Sequence, residues 1–473
     1  MNSGSKCDKC EISTTTAILA PFRLLSIAYS QVLYSFLGDS VQVDIAGTSL
    51  LHGWVSPALQ VVAAMALLGV IRWRNPAWCA RWISLGAVAG VAASASLYAF
   101  LASRGLMPDS APWSFWIWLT LTLVTVAALV GGWINTSWLR RTLALCAPVL
   151  AVVCVALAAN QWAGFYPTPA RAWQAVTAQP LPDQTSLRSL SRLHRTAQPH
   201  GKVVPVRIPD DLSHFHHRIE YVYLPPAWFD GPIPPHLPAI VMIGGVVTTT
   251  EDWARSGGAL ATDERFAAAH HGYAPILVFV DPTGGLTNDT ECVDGPHGNV
   301  DTHITREVRP FVLSRFGAAR DPQQWAVAGW SMGGTCAIDL TVEHSDLFHT
   351  FLDISGDAGP NLGDKDQTIK TLYGGHPDKW TRFDPASAMA AHGPYVGLAG
   401  WFDDEGHRVG HGSTLTSPQI RAAQTLDRVA RNNNITTVVR PERGKHCWPF
   451  AANSFRQALP WLTDKITPPS LLK

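Results

Sequence analysis

The first third of the chain contains four long stretches of mostly apolar residues without a formal charge. About 20 such residues in a helix cross a hydrocarbon core of roughly 30 Å, and a helix satisfies its own backbone hydrogen bonds there. The pattern therefore predicts an all-α transmembrane region over residues 53–164. Its four helices are expected near 53–71, 82–103, 114–134 and 142–160.

Residues at the ends of these stretches indicate how they are oriented. Trp113, Trp138 and Trp162 lie near predicted helix ends, as is typical of a membrane–water interface. Basic residues concentrate in the loops at 72–81 and 140–141. Since cytoplasmic loops carry the excess of Lys and Arg, the chain beyond the fourth helix is expected outside the cytoplasm. The pattern predicts an integral protein of the plasma membrane with an extracytoplasmic C-terminal domain.

The N-terminal segment, residues 1–52, allows two interpretations. Ala17 to Leu37 is apolar enough for a fifth membrane helix but contains Arg23, so it could instead lie on the membrane surface as an amphipathic helix. Lys6 and Lys9 favour five helices, since they would keep the N-terminus inside. The number of membrane helices, four or five, stays open.

A different pattern follows a linker expected at residues 165–200. Over 201–473, apolar runs of strand length alternate with helical stretches at 302–316, 333–343 and 416–431. This alternation predicts a mainly parallel sheet covered by helices on both faces. The strands are expected at 218–223, 239–243, 276–280, 325–328, 351–354, 395–399 and 435–439.

Charge excludes some classes of function. The chain has 36 basic and 36 acidic residues, so no net charge favours nucleic acid as a partner. The four predicted membrane helices lack Asp, Glu and Lys at mid-depth, which argues against a transporter and favours an anchor. His214 and His216 would share one strand face, but no third ligand is evident, so no metal site is predicted. Cys7 and Cys10 likewise lack the second half of a zinc site. No cofactor is expected.

One pentapeptide carries candidate chemistry. Gly329-Trp330-Ser331-Met332-Gly333 is a G-x-S-x-G sequence between a predicted strand and a predicted helix. A nucleophilic serine needs such a sharp turn, which exposes its hydroxyl and leaves room for close backbone approach. Ser331 is therefore the predicted nucleophile. The backbone N–H of Met332 would point to the developing oxyanion.

A serine nucleophile needs a base and an orienting carboxylate, in the chain order Ser, acid, His. His446 follows the last predicted strand and is the predicted base. Asp403 lies in an acidic cluster just past a predicted strand and is the preferred acid. Asp404 and Glu405 remain alternatives, and Asp353 and Asp357 are weaker ones.

A second oxyanion donor is expected in the loop after an early strand. Gly244 to Val247 follows the strand at 239–243 and is small enough for a backbone N–H to approach the reacting carbonyl. Val246 is the predicted donor, with Gly245 close behind. Among the cysteines, Cys336 is expected to pack inside the helix after Ser331. A bridge from Cys292 to Cys447 is a hypothesis suited to an oxidising compartment.

Several motifs together resemble the esterase D-type branch of the α/β-hydrolases, which includes S-formylglutathione hydrolases, feruloyl esterases and actinobacterial mycolyltransferases. The resemblance spans roughly 215–463. It implies an α/β-hydrolase fold with Ser331 as nucleophile, Asp403 as acid, His446 as base, and the N–H groups of Val246 and Met332 as oxyanion hole. The motifs are Gly-Gly before Glu251-Asp252-Trp253, the loop 281–285, Gly329–Gly334, Gly400-x-x-Asp403 and His446-x-Trp448.

The sequence also departs from this pattern. Lys445 stands where a small residue usually precedes the histidine of the family. Mycolyltransferases use Glu as the acid and lack the membrane helices. The joined arrangement resembles membrane-anchored esterases of actinobacteria.

The sequence thus predicts a membrane-anchored serine esterase or acyltransferase acting on an acyl ester, with an ester linked to lipid as one candidate substrate. Water, a lipid hydroxyl or a sugar hydroxyl could accept the acyl group, because all three use the same triad. The alternative is a catalytically silent hydrolase-fold domain that binds a partner in the cell envelope.

Overall fold

The computed structural model describes residues 47–103, 110–134, 136–193, 196, 198–231, 233–408 and 414–468. The predictions for Ala17 to Leu37 and for Cys7 and Cys10 lie outside these residues. The chain from Ser49 onward belongs to one compact unit.

Four helices occupy the predicted membrane region: α1 (Val55–Val70), α2 (Ser84–Ser103), α3 (Trp113–Gly132) and α4 (Trp138–Ala163). A short turn, Pro76–Trp78, and a π-helical segment, Cys79–Ile83, lead directly into α2. Among the described residues, three helical stretches are long and apolar enough to cross a membrane: Pro76–Ser103, α3 and α4. The 16 residues of α1 extend only about 24 Å, which is shorter than a typical hydrocarbon core.

Small residues determine how closely two of these helices pack. A Cβ atom on Gly86 would lie 2.7 Å from Cα of Val124, and one on Gly90 would lie 2.6 Å from the carbonyl oxygen of Thr120. Both glycines lie on α2 and face α3, four residues apart. Close backbone approach at such spacing is typical of helix pairs in membranes, where van der Waals packing replaces the hydrophobic effect.

Two short helices lie in the predicted linker: α5 (Pro169–Val176) and α6 (Leu187–Leu193). The Thr168 side chain accepts a hydrogen bond from the Arg171 N–H and caps α5, while Pro169 occupies its first turn. Strand β1 (Lys202–Val206) then begins the second part of the unit, close to the predicted start at residue 201. The division of the chain into separate domains stays a prediction.

The second part is built on one main sheet and a small separate pair of strands, β5 and β6. The strands are β1 (Lys202–Val206), β2 (Glu220–Leu224), β3 (Ala239–Ile243), β4 (Ile276–Phe279), β5 (Asp294–Gly295), β6 (Gly298–Asn299), β7 (Trp325–Trp330), β8 (Thr350–Ile354), β9 (Ala399–Arg408), β10 (Leu415–Thr416) and β11 (Thr436–Arg443). The order across the main sheet is β1, β2, β4, β3, β7, β8, β9, β10, with β11 also paired to β9. β1, β2 and β10 are antiparallel to their neighbours, whereas β4, β3, β7, β8, β9 and β11 run parallel to one another. The predicted fold class, an α/β-hydrolase preceded by a bundle of apolar helices, is confirmed.

Helices cover both faces of this sheet, and two apolar clusters fill the space between the layers. The central strands are buried along their whole length, as expected for parallel strands covered on both sides. The helices are α7 (Asp252–Arg255), α8 (Ala259–Ala269), α9 (Arg309–Phe316), α10 (Met332–Glu343), α11 (Lys365–Leu372), α12 (Pro377–Phe383), α13 (Pro385–His392), α14 (Pro418–Asn432) and α15 (Trp448–Ile466).

One strand begins later than the sequence predicts. The prediction places a strand at 395–399, but β9 begins only at Ala399, whose N–H donates to the His349 carbonyl over 3.0 Å. Tyr395 is tied to α10 instead, since its hydroxyl donates to the Val342 carbonyl over 2.9 Å. β9 then continues to Arg408, so the acidic cluster lies inside the strand rather than after it.

The cysteine pairing also differs from the hypothesis. Cys292 is bonded to Cys336, whereas Cys447 is a free thiol. The helix after Ser331 presents Cys336 to the buried segment that holds Cys292, and both lie in one apolar cluster. Cys336 is buried as expected, but the proposed bridge from Cys292 to Cys447 is wrong.

We expect the double substitution Cys292→Ala with Cys336→Ala to lower the free energy of unfolding by about 2–4 kcal/mol. The bond joins two cysteines that are 44 residues apart in the chain, and closing that loop restricts the unfolded state. Denaturant unfolding of the full chain in detergent measures the change. Cys447→Ala is the matched control and should change it much less. Alkylation of Cys292 in the unreduced, denatured protein would contradict the assignment.

Candidate active site

Ser331 occupies a strained turn between a strand and a helix. It directly follows Trp330, the last residue of β7, and directly precedes Met332, the first residue of α10. Its backbone has φ +60° and ψ −127°, which is uncommon for a residue other than glycine. Its N–H donates to the Ile354 carbonyl over 2.9 Å. Strain of this kind is found where a turn must present a side chain at the edge of a sheet.

The glycines of the pentapeptide make this turn possible. A Cβ atom on Gly329 would lie 1.7 Å from the carbonyl oxygen of Gly333. One on Gly333 would lie 2.3 Å from the carbonyl oxygen of Ile243, at the end of β3. Any larger residue at either position would therefore force the backbone apart and move Ser331.

His446 lies against the Ser331 hydroxyl. Its Nε2 is 2.9 Å from Oγ of Ser331, although 115 residues separate the two along the chain. The histidine follows β11 and directly precedes Cys447, the N-cap of α15. Its ring also faces Trp330 at 5.1 Å between ring centroids. The structure thus brings together the serine and the histidine that the sequence predicted.

The carboxylate that meets His446 is Glu405. Its Oε1 is 2.9 Å from Nδ1 of His446, and its other oxygen accepts a hydrogen bond from the Ser355 hydroxyl. The Glu405 side chain is only 9% exposed. A carboxylate held at Nδ1 fixes the tautomer in which Nε2 is free to accept the serine proton.

Asp403, the acid preferred from the sequence, does not lie at Nδ1 of His446. The assignment of the acid is therefore corrected from Asp403 to Glu405. In the parallel pairing of β9 with β11, Asp403 is level with Arg440, whereas Glu405 is level with Glu442, next to the strand end at Arg443. Two residues of strand correspond to about 6.6 Å. Asp403 therefore lies too far back along the sheet to meet a histidine beyond Arg443.

The surroundings of Asp403 also differ from those of an orienting carboxylate. Burial, and after it the nearby Glu442, raises the pKa of Asp403 to about 7. A carboxyl whose charged form is disfavoured by burial is a poor partner for an imidazolium.

The other acidic alternatives have different partners or environments. Asp353 is buried and accepts a hydrogen bond from the Gly356 N–H over 2.8 Å. Asp357 accepts one from the Asn361 side chain over 2.9 Å. Burial raises the pKa of Asp404 well above its usual value. In the described part of the chain, the carboxylate at Nδ1 of His446 is that of Glu405, and none of these other acidic residues takes that position.

The predicted oxyanion donors lie in two elements that meet at Ser331. Met332 begins α10, and Val246 follows Gly245 in the loop after β3. A Cβ atom on Gly245 would lie 3.0 Å from Cβ of Ser331, so this loop passes directly beside the serine. The role of the Val246 and Met332 backbone N–H groups as oxyanion donors stays a prediction.

Sequence reasoning missed two residues of the site. Ser355 directly follows β8 and donates to Glu405, and Trp330 packs its ring beside His446. The position of Ser355 just after a central parallel strand offers a clue, because the ends of such strands meet at one edge. Trp330 lies within the pentapeptide, but the G-x-S-x-G pattern allows any residue at the position of Trp330 and so gives no clue to its contact with His446.

A second polar cluster lies in the same fold. His217, Glu220 and His303 each bring one ligand atom within 4.8 Å of the others, a spacing that metal sites also show. However, Nδ1 of His217 faces the Arg218 carbonyl at 2.7 Å, and its Nε2 faces the Ile208 carbonyl at 2.9 Å. Both ring nitrogens of His217 thus lie against backbone carbonyl oxygens, and the cluster is not proposed as a metal site.

The predicted pair His214 and His216 is not on a strand, because both residues precede β2. His216 is fully exposed, and its Nδ1 is 3.6 Å from Asp210.

Comparisons with known proteins place this site in context. Residues 216–440 match the family described as "Putative esterase". An uncharacterized protein of Corynebacterium glutamicum is 28% identical over 422 residues, which cover 85% of this chain and 93% of that protein. That match extends well beyond the family segment.

Solved structures also align with a little over half of the chain. A ferulic acid esterase is 19% identical with a TM-score of 0.45, covering 56% of this chain and 98% of its own. An S-formylglutathione hydrolase from Agrobacterium tumefaciens is 17% identical with a TM-score of 0.46, covering 57% and 97%. MPT51 of Mycobacterium tuberculosis is 17% identical with a TM-score of 0.38, covering 55% and 99%.

The matched segment contains Ser331 and Glu405, and His446 follows six residues after its end. The resemblance to esterase-type α/β-hydrolases is confirmed, and with it the expectation of an enzyme. Over residues 216–440 the chain matches the esterase family model, and the protein is a hydrolase or acyltransferase.

Proposed function

We propose that the protein is a membrane-anchored serine esterase or acyltransferase that works outside the cytoplasm through an acyl-serine intermediate. The observation that carries this proposal is the continuous chain from Ser331 through His446 to Glu405, with 2.9 Å at both links of the histidine. This is the arrangement that a hydroxyl needs to become a nucleophile.

The reaction follows from the positions of these groups. Oγ of Ser331 attacks the ester carbonyl while its proton moves to Nε2 of His446, and Glu405 stabilises the resulting imidazolium. Backbone N–H groups of Met332 and Val246 would stabilise the negative oxygen of the tetrahedral intermediate. The intermediate collapses, the ester C–O bond breaks, and the departing alkoxide takes the proton from Nε2.

A second half-reaction restores the serine. Water, or a hydroxyl of a lipid or sugar, gives its proton to Nε2 and attacks the acyl-serine. The bond to Oγ then breaks, and Oγ recovers the proton. With water the product is a free acid, and with another hydroxyl it is a new ester.

The membrane part of the proposal depends on the helices and loops. In the part of the chain that the structure describes, three apolar helical stretches are long enough to span a bilayer. Arg72 lies beyond the end of α1 and donates to the carbonyls of Gly132 and Ile134 at the far end of α3, which ties two helix ends together on the side rich in arginine. By the positive-inside rule this side faces the cytoplasm, and the hydrolase domain lies opposite. An anchored enzyme of this kind favours a lipid-linked acyl ester as substrate.

We expect Ser331→Ala to abolish labelling of the full-length protein by a fluorophosphonate probe, because the probe forms its covalent bond with an activated serine oxygen. In-gel fluorescence of the protein in detergent measures the labelling. Ser314→Ala, at an exposed serine of α9, is the control and should label like the wild type. A wild-type protein that folds but stays unlabelled would refute catalysis and favour the silent, partner-binding alternative.

We expect Glu405→Gln to lower kcat for a short-chain ester by about 10²- to 10⁴-fold, because the amide no longer stabilises the imidazolium. Asp403→Asn is the matched control two residues along the same strand, and it should change kcat less than about threefold. Initial rates with p-nitrophenyl acetate compare the two variants. A larger loss in Asp403→Asn than in Glu405→Gln would overturn the assignment of the acid.

A further inference from the structure

A cavity of about 600 Å³ lies between the candidate triad and the ends of the apolar helices. Glu405 and His446 form part of its wall, and Oγ of Ser331 is 2.9 Å from Nε2 of His446. Another part of the wall comes from Leu51, Pro112 and Trp162, which lie at or next to helix ends. Cavities of this size hold a small-molecule ligand or the polar part of a larger one.

The helix residues in this wall all lie at the same end of the bundle. Leu51 precedes α1, Pro112 is the N-cap of α3, and Trp162 lies in the last turn of α4. Beside them, Trp54 and Trp113 are 62% and 83% exposed. Exposed indoles at helix ends are typical of the level where lipid headgroups lie. If the bundle spans a bilayer, the cavity therefore opens at headgroup level.

The contact between helix bundle and triad is built from specific bonds. The Asn160 side chain exchanges two 2.8 Å hydrogen bonds with the backbone of Tyr166 and so fixes the exit from α4. The next ring, Phe165, faces Trp448 at 6.1 Å between centroids. Trp448 faces Trp330 at 4.6 Å, and Trp330 lies beside His446. A row of packed rings thus joins the end of a membrane helix to the catalytic histidine.

The lining of the cavity combines two chemistries. Gln161, Gln419 and Lys445 provide hydrogen-bond donors, whereas Leu51 and Pro112 provide apolar surface. Further apolar surface continues outward along the helices, where Ile117 is 53% exposed one turn inside α3. A polar chamber next to an apolar exit fits a molecule with a polar head and a long alkyl tail.

We propose that this cavity is the entrance through which an acyl lipid, still held in the outer leaflet, presents its ester to Ser331. The ester and polar head occupy the cavity, and the alkyl chain stays in the bilayer along the outward surface of α3. The ends of α1, α3 and α4 are then part of the substrate site. This proposal depends on the proposed serine chemistry and deepens it by assigning the part of the structure that receives the lipid substrate.

Filling the cavity tests the proposal. Gln161→Trp and Leu51→Trp each place an indole in the cavity and leave the triad residues themselves unchanged. With full-length protein in phosphatidylcholine vesicles, we expect kcat/KM for a fluorogenic C16 acyl glycerolipid in the same vesicles to fall at least tenfold. For p-nitrophenyl acetate in solution, which needs little of the cavity, we expect a decrease of less than threefold.

Val149→Trp is the matched control, because Val149 is 61% exposed on α4 and lies 12 residues, about 18 Å, before Gln161. It should leave both rates unchanged. Equal losses for both substrates, or no loss for the vesicle ester, would overturn the proposal. Fluorophosphonate labelling of each variant separates this outcome from failure of the serine chemistry, since a labelled wild type keeps that chemistry intact.

A photoreactive lipid provides a second measurement that needs no variant. A phosphatidylcholine with a diazirine near its ester is expected to crosslink to peptides that contain residues 51–54, 112–117 or 161–162. Crosslinks confined to other parts of the protein would contradict the assignment of the cavity.

Discussion

The parallel pairing of β9 with β11 is the constraint on which the candidate site depends. It runs from Ala399 opposite Thr436 to Gly406 opposite Arg443, so the two strands end at nearly the same level. Glu405 therefore lies beside the end of β11, close to the point where the chain continues to His446. The adjacent strand β8 delivers Ser355 to the same carboxylate, and β7 ends in the turn that presents Ser331. Four neighbouring strands thus build one site at one edge of the sheet.

Much of this arrangement could be predicted from the sequence, because the relevant patterns are local. The charge-free stretches indicated the helices, and the pentapeptide indicated the turn at Ser331. His446 could be chosen by its position after the last strand. The register between neighbouring strands could not be predicted, and it determines how far along the sheet each acidic residue lies. Asp403 and Glu405 share a strand face, and only the register with β11 determines which one meets the histidine.

Two further differences have the same origin in contacts between distant segments. The strand expected from Tyr395 begins later because the Tyr395 hydroxyl is held by Val342 of α10. Cys292 pairs with Cys336 rather than Cys447 because the helix after the nucleophile packs over the segment that holds Cys292. No pattern within either segment indicates such a partner.

The bridge between Cys292 and Cys336 also has a consequence for when the protein is completed. Cys336 lies in α10, five residues after Ser331, so the bond holds the very helix that begins at the nucleophile. Thiols stay reduced in the cytosol and oxidise beyond it. A chain still in the cytosol would therefore lack this covalent support behind Ser331. If the second part of the chain works outside the cytoplasm, as proposed, the bond would form only after translocation, and the helix that begins at the proposed nucleophile would be completed there.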